Sequence, residues 1–97
     1  RVLFRSIETL IDRFEGVLES AVIGVPHPDF GEAVTAVIVG DGQSEIDGTH
    51  LIQSLKDTIA NFKVPKRAII VDQLPRNTMG KVQKNVLRDD YRDLYRS

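Results

Sequence analysis

The residues best suited to chemistry lie between positions 74 and 84, spelled LPRNTMGKVQK. Pro75 cannot donate to a sheet ladder and Gly80 frees the backbone, so the two bracket a polar loop that carries Lys81. A lysine carries a compact positive charge at the end of a flexible four-carbon side chain, which suits contact with a phosphate or carboxylate oxygen. By spacing alone a solvated surface cation is the commoner explanation, because loop lysines are frequent.

The loop is not a nucleotide-binding P-loop. That motif needs a glycine five residues before Gly-Lys and a serine or threonine directly after the lysine. Pro75 and Val82 occupy those two places in this chain.

Composition narrows the class of protein. The chain has 97 residues, 41% of them hydrophobic and 28% charged, which suits one small domain. No apolar run approaches the roughly 20 residues of a membrane span, so we predict no membrane partner. There is no cysteine, and His27 and His50 lack metal-ligand spacing, so we predict no metal site. The opening residues show no signal-peptide pattern, which favours a cytoplasmic location.

Charge is distributed unevenly along the chain. Residues 1–62 hold four Lys or Arg against ten Asp or Glu, a net charge of −6, whereas residues 63–97 hold nine against four, a net charge of +5. The basic third contains the Lys81 loop and suits nucleotide phosphates, nucleic acid or an acidic neighbouring domain, although a solvated helix face is the commonest explanation. Nucleic acid is not favoured, because Tyr91 and Tyr95 fall at helical core spacing instead of forming a stacking platform.

Three segments have the period of amphipathic helices. Ser6 is expected to cap a helix over about residues 7–15, and Asp47 or Thr49 to cap a second one. A last helix is expected over roughly residues 83–95. The predicted inward positions are Ile7, Leu10, Ile11, Phe14, Leu51, Ile52, Leu55, Ile59, Leu87, Tyr91 and Leu94.

Three other segments, residues 17–25, 33–40 and 67–74, read as strands. The turn between the first two is short, so we expect them to pair antiparallel. Phe62 is expected to close the core where the second helix ends. The order helix, strand, strand, helix, strand, helix predicts an α+β domain, a small three-stranded sheet with about three packed helices.

Two stretches resemble a known family. GVPHPDFGEAVTAVIV and, after it, FKVPKRAIIVDQLPRNTMGKVQKNVLR are similar to the C-terminal domain of the adenylate-forming superfamily, which includes acyl-CoA synthetases, peptide-synthetase adenylation domains and luciferases. The resemblance covers about residues 7–97. Residues 77–84, NTMGKVQK, look most like the malonyl-CoA synthetase (malonate:CoA ligase) branch.

The resemblance implies a function shared with a second domain. Family enzymes use ATP and Mg²⁺ to convert a carboxylate to an acyl-adenylate and pyrophosphate, and then pass the acyl group to coenzyme A (CoA), which releases AMP. A large N-terminal adenylation domain holds the nucleotide and the carboxylate. The small C-terminal lid domain swings between two orientations, one for each half-reaction. By this likeness the chain is inactive alone and binds no ATP, Mg²⁺ or CoA by itself.

The same resemblance implies the site residues. Lys81 matches the catalytic lysine that contacts the carboxylate and the α-phosphate oxygens during adenylation. Thr78, Gly80 and Gln83 belong to the matching substrate and nucleotide loop, in which Gly80 lets the backbone approach. Lys63 is a candidate contact for the CoA phosphates in the second orientation.

Residues 1–6 depart from the family pattern. Family members carry a hinge and a glycine-rich loop before the first helix, where this chain keeps only Ile7 and Glu8 after a dissimilar head. We expect residues 1–6 to be foreign to the domain. Residues 7–97 are then the AMP-binding enzyme C-terminal domain, a fragment of a larger ligase.

Two alternatives stay open on the sequence alone. The basic third also suits a stand-alone module that binds an acidic protein surface. It suits as well a small phosphate or nucleic-acid binder, whose binding would weaken steeply with salt. The activated carboxylate cannot be read from this chain, because by family likeness the acyl pocket lies in the other domain.

Overall fold

The computed structural model describes residues 4–96, apart from the side chain of Phe62. Its helices and strands follow the order that the sequence predicts. Their bounds are α1 Phe4–Ile11, β1 Val17–His27, β2 Gly31–Gly40, α2 Gly48–Lys56, a 3₁₀-helix Asn61–Lys63, β3 Arg67–Val71 and α3 Lys84–Tyr91. The predicted α+β class, with a three-stranded sheet and three packed helices, is confirmed.

The sheet has the strand order β1-β2-β3, with β2 in the centre. β1 pairs antiparallel with β2, as the short turn between them predicts, and β3 joins β2 in parallel. The parallel pairing is possible because α2 lies between β2 and β3 in the chain and supplies the crossover. β2 is buried continuously over residues 35–39, in keeping with its apolar sequence.

Alternate strand residues supply two separate cores, one on each face of the sheet. The core under α1 and α2 uses the even-numbered strand positions and consists of Ile7, Ile11, Val22, Ala36, Ile38, Leu51, Leu55 and Val64. The core under α3 uses the odd-numbered strand positions and consists of Ala21, Ile23, Val25, Val37, Val39, Leu74 and Leu87. The domain therefore has three layers, with the sheet in the middle.

A β-bulge at Leu18 changes the face of the sheet on which Val17 lies. Val17 pairs with Gly40 and Glu19 pairs with Val39, so Leu18 is an extra residue on β1. Val17 packs against the core of α1 and α2. Glu19, directly opposite Val39, keeps the register of the β1 residues that follow it and lies on the α3 face of this edge strand.

Helix α1 begins earlier than predicted, at Phe4, and its α-helical part ends at Ile11 instead of residue 15. Ser6 lies inside this helix, so the prediction that it caps the N-terminus was wrong. Beyond Ile11 the chain tightens, and Phe14 N donates to Ile11 O at 3.0 Å. This tighter i to i−3 pattern ends the α-helix while Phe14 still packs against the core.

The predicted head, residues 1–6, falls partly outside the described residues. Residues 4–6 form the first turn of α1, and Phe4 packs against the core of α1 and α2. That the head is foreign to the domain stays a prediction. The predicted role of Phe62 in closing the core also lies outside the described residues, because its side chain is not among them.

Helix α2 begins as predicted, with Asp47 as its N-cap. The Asp47 Oδ1 accepts hydrogen bonds from Thr49 N at 3.0 Å and His50 N at 3.2 Å. β3 and α3 end before their predicted ends at residues 74 and 95, and α2 ends at Lys56, before the predicted inward position Ile59. The apolar pattern misled the prediction because side chains beyond these ends still pack against the two cores, namely Ile59, Leu74 and Leu94.

Candidate functional site

Residues 76–82 form a short hairpin between β3 and α3. Arg76 and Val82 make an isolated antiparallel bridge at its base. Inside that bridge, Asn77 N donates to Lys81 O at 3.0 Å. A three-residue loop, residues 78–80, therefore joins the two sides, a length for which a glycine with positive φ is typical.

Asn77 organises this loop. Its side-chain Oδ1 accepts hydrogen bonds from Met79 N and Lys81 N, both at 2.9 Å. An Asn at the start of a turn can replace a backbone acceptor in this way. Gly80 N donates to Asn77 O at 3.0 Å, and Gly80 has a φ of 80°, where a side chain would strain the backbone. Both Asn77 and Gly80 are thus needed for the shape of the loop.

Lys81 has a fixed backbone and an unengaged side chain. In the peptide unit before its Cα, the Lys81 N–H binds Asn77 and the Gly80 carbonyl accepts from Arg76 Nη1 at 2.7 Å. In the next unit, the Lys81 carbonyl accepts from Asn77 N at 3.0 Å and Gln83 Nε2 at 3.1 Å. The side chain is exposed and makes no hydrogen bond or ion pair within the part of the chain that the structure describes. The hairpin therefore presents an ammonium group outward from a rigid base.

The other predicted loop residues surround Lys81. Thr78 lies exposed at the loop, beside Met79, whose side chain is 89% exposed. Gln83 is the residue that precedes α3, and its backbone N donates to Pro75 O at 2.8 Å. Thr78, Gly80 and Lys81 thus lie within the hairpin, and Gln83 follows it directly.

Lys63 belongs to a different segment. It is the last residue of the 3₁₀-helix between α2 and β3, and it is half-buried. A cavity of about 610 Å³ adjoins this helix and is lined in part by Phe30, Asn61 and Pro65. Nearby, the Lys66 ammonium lies 4.5 Å from the centre of the Phe30 ring. The structure does not place Lys63 in the Lys81 hairpin.

Two ion pairs hold the segment around the hairpin against the domain, and the sequence did not predict either. Arg76 Nη2 contacts Glu19 Oε1 on β1, a partner 57 positions away. Lys84 Nζ lies 2.7 Å from Glu8 Oε2 on α1, and the same oxygen accepts from Val22 N at 2.8 Å. Such pairings carry no signal in the sequence, because they depend on the packing of α1 and β1 against the hairpin.

The described residues offer no metal site. Among residues 4–96 there is no group of three or more His, Cys, Asp or Glu side chains that could hold a metal ion. The donor set therefore does not fit a resident Mg²⁺. In the same part of the chain, every helix is too short or too polar to cross a bilayer.

The sequence model of the family described as AMP-binding enzyme C-terminal domain matches residues 6–81. The chain belongs to this family. The resemblance predicted this family, and that prediction is confirmed. The predicted bounds of the domain, residues 7–97, stay a prediction. The family match includes residues 76–81 of the hairpin, and thus Lys81.

Solved and curated relatives of this AMP-binding enzyme C-terminal domain are much longer chains. ATP-bound MatB from Rhodopseudomonas palustris superimposes with a TM-score of 0.95 at 57% identity, over 98% of this chain and 19% of MatB. The long-chain-fatty-acid–CoA ligase FadD13 of Mycobacterium tuberculosis is 39% identical over 85 residues, 88% of this chain and 17% of the ligase. The 4-chlorobenzoate–CoA ligase of an Arthrobacter species is 40% identical over 83 residues, 86% of this chain and 16% of the ligase. The chain thus spans less than a fifth of the length of these relatives.

Proposed function

We propose that this domain is the C-terminal lid of an ATP-dependent acyl-CoA ligase and that Lys81 supplies the cation for adenylation. In the first half-reaction a carboxylate attacks the α-phosphorus of ATP, giving an acyl-adenylate and pyrophosphate. In the second, the CoA thiol takes the acyl group and AMP leaves. Family membership and the acyl-CoA ligases among the relatives support the proposal.

The observation that carries the role of Lys81 is its fixed backbone combined with an exposed, unengaged ammonium. Attack of one anion on another's phosphorus builds negative charge on the bridging and non-bridging oxygens. A cation already aimed at those oxygens stabilises the transition state more than either ground state. A lysine bonded inside its own domain would first have to break that bond, and Lys81 has no such bond in the described part of the chain.

The proposed partner is the N-terminal adenylation domain of the same ligase. Nucleotides normally bind in concave pockets that bury most of their surface. An exposed lysine on a hairpin cannot enclose ATP, so ATP, CoA and the carboxylate are assigned to a site completed by the larger domain. Mg²⁺ that accompanies ATP neutralises phosphate charge, and the described residues supply no ligands for it.

Malonate is the acid that we propose, because MatB, a malonyl-CoA synthetase, is 57% identical to this chain. The fatty-acid and 4-chlorobenzoate ligases are both about 40% identical to the chain although their acids differ greatly. The lid is therefore compatible with many acids, and the acid pocket is expected in the N-terminal domain. We also propose that the ligase is cytoplasmic. Activity of the full-length ligase on malonate against longer and aromatic acids tests the choice.

The role of Lys81 is tested by Lys81→Ala in the full-length ligase. We expect ATP–pyrophosphate exchange to fall by about 10²-fold or more, as on loss of one preorganised donor in other enzymes. Thioester formation from supplied acyl-adenylate should persist. Lys56→Ala, which removes an exposed lysine on α2, serves as the control and should leave both activities unchanged. An equal loss of both half-reactions in Lys81→Ala would contradict the assigned role.

A further inference from the structure

The ion pair between Glu19 and Arg76 lies next to Lys81 but provides no group to the adenylation chemistry. Arg76 uses two donors at once, with Nη1 bound to Gly80 O at 2.7 Å and Nη2 bound to Glu19 Oε1. We propose that Glu19 and Arg76 are positioning residues that hold the Lys81 hairpin on strand β1 during adenylation. This inference rests on the proposed role of Lys81.

The bond from Arg76 to Gly80 acts directly on the backbone of Lys81. The Gly80 carbonyl and the Lys81 N–H are the two ends of one planar peptide unit. Asn77 Oδ1 holds the N–H end at 2.9 Å, and Arg76 holds the carbonyl end at 2.7 Å. A change in the position of Arg76 must therefore turn the unit from which the lysine side chain projects.

The bond from Arg76 to Glu19 connects the hairpin to the sheet. The remaining hydrogen bonds described for residues 76–82 join residues between Pro75 and Gln83, so they set the shape of the hairpin and not its place on the domain. Val82 gives an apolar contact with the core under α3. Glu19 supplies the polar contact, from a strand in which residues 21–25 are buried.

Arginine is required at position 76 because the site needs two donors in a fixed fork. The guanidinium is planar and can bond a carboxylate and a carbonyl together, whereas a lysine ammonium acts as a single point charge. The side chains of Arg76 and Glu19 are 42% and 30% exposed. A pair exposed to this extent adds little to overall stability. Variants at either position should therefore stay folded, and their effect should appear in adenylation.

The test uses the full-length ligase with Glu19→Gln or Arg76→Lys, and the readout is pyrophosphate release in a single turnover. We expect each variant to slow release by about 10-fold, since small misplacements of a catalytic group can cost up to about 10²-fold. Thioester formation from supplied acyl-adenylate should be unchanged. Asp93→Asn, which removes the exposed Asp93–Arg96 pair of 2.9 Å, is the matched control and should keep the wild-type rate.

A double variant separates positioning from a general structural effect. If Glu19 acts only through Lys81, then Glu19→Gln should cause no further loss in a Lys81→Ala background. A further loss of similar size there would overturn the inference, as would wild-type adenylation rates in both single variants. In either case a selective adenylation defect in Lys81→Ala would leave the proposed function intact. Conversely, a Lys81→Ala enzyme that adenylates normally would refute the proposed function itself.

Discussion

At the scale of single residues, the described neighbours of Lys81 form hydrogen bonds with its backbone and none with its side chain, which suits its proposed role. Asn77, Arg76 and Gln83 together hold both peptide units around its Cα. A lysine side chain keeps about 2 kcal/mol of rotamer entropy when it is unbound. The backbone of the hairpin is therefore already ordered in the domain, and the Lys81 side chain becomes ordered only when substrate binds.

Gly80 and Gly42 provide a matched test of this arrangement. Their φ angles are 80° and 77°, and an added Cβ would have nothing within 4 Å at either position. Alanine at either site should therefore destabilise the fold by about 1–2 kcal/mol through backbone strain alone. Only Gly80→Ala should also slow adenylation, because the strain falls on the peptide unit that joins residue 80 to Lys81. Urea unfolding of the chain and pyrophosphate release by the full-length ligase measure the two effects. Equal adenylation rates in the two variants would argue against a special role for Gly80.

The sequence predicted this site in part. The sequence of one short segment was enough to propose Lys81, Gly80 and Gln83, because the pattern that identifies them is local. Asn77 could have been found by the same route, since Asn before a glycine-containing turn commonly accepts backbone hydrogen bonds. Glu19 could not, because its contact with Arg76 depends on packing between segments 57 positions apart.

At the scale of elements, α3 holds the C-terminal side of the hairpin. It begins at Lys84, three residues after Lys81, and packs on the sheet through Leu87. The helix has only eight residues, too few to be stable by itself in water. Its position therefore depends on the apolar contact of Leu87 and on the ion pair between Lys84 and Glu8.

Leu87→Ala tests this dependence against Val86→Ala on the same helix. Leu87 is 3% exposed and Val86 is 38% exposed. Removing the buried side chain should cost about 2–5 kcal/mol, because it loses apolar burial and leaves a cavity. Val86→Ala should change stability by only about 0.5 kcal/mol. Denaturant unfolding of the two variants gives the comparison, and equal losses would mean that α3 does not depend on Leu87.

The order of the elements and the antiparallel β1–β2 pair were predictable because periodicity and a short turn are local properties. The parallel β2–β3 pair and the bulge were not, since both depend on how distant segments meet. Element ends were misplaced for a physical reason. Ile59, Leu74 and Leu94 still pack against the two cores, although they lie beyond the last residues of α2, β3 and α3.

At the scale of the whole molecule, Tyr95 links the C-terminal segment to the middle of the sheet. Its hydroxyl lies 2.8 Å from Thr35 Oγ1, 60 positions away in the chain, and Thr35 is fully buried. Burial raises the pKa of Tyr95 above 10.0, while the hydrogen bond with Thr35 and the charge of Arg67 act in the opposite direction. Folding therefore favours the protonated phenol.

This shift predicts how stability depends on alkaline pH. A group whose pKa is raised by folding contributes fully below its unfolded pKa and loses that contribution as the pH rises through the folded value. The unfolding free energy of the wild-type chain, relative to Tyr95→Phe, should thus be constant up to about pH 9 and fall above about pH 10. Urea unfolding of both proteins across this range measures the difference. A difference that stays constant to pH 11 would mean that Tyr95 has no raised pKa.

Charge is distributed unevenly along the chain, in a way that suits the proposed two-domain enzyme. Residues 63–97 carry a net charge of +5 and contain both the hairpin and α3. An excess of positive charge in this part of the chain favours contacts with phosphate groups. The sequence predicted the family correctly, and the catalytic role of the Lys81 segment stays a prediction. The substrate pocket is expected in a domain outside this chain, so no residue of the chain identifies the acid.

The most direct measurement of the central claim is a pair of single-turnover rates for a full-length ligase that carries Lys81→Ala. One is pyrophosphate release from ATP with saturating carboxylate, and the other is thioester formation from preformed acyl-adenylate and CoA. We predict that the first rate falls by about 10²-fold or more while the second stays close to that of the wild type. Unchanged pyrophosphate release, or a matching loss in both rates, would contradict the claim that Lys81 is the cation of the adenylation step.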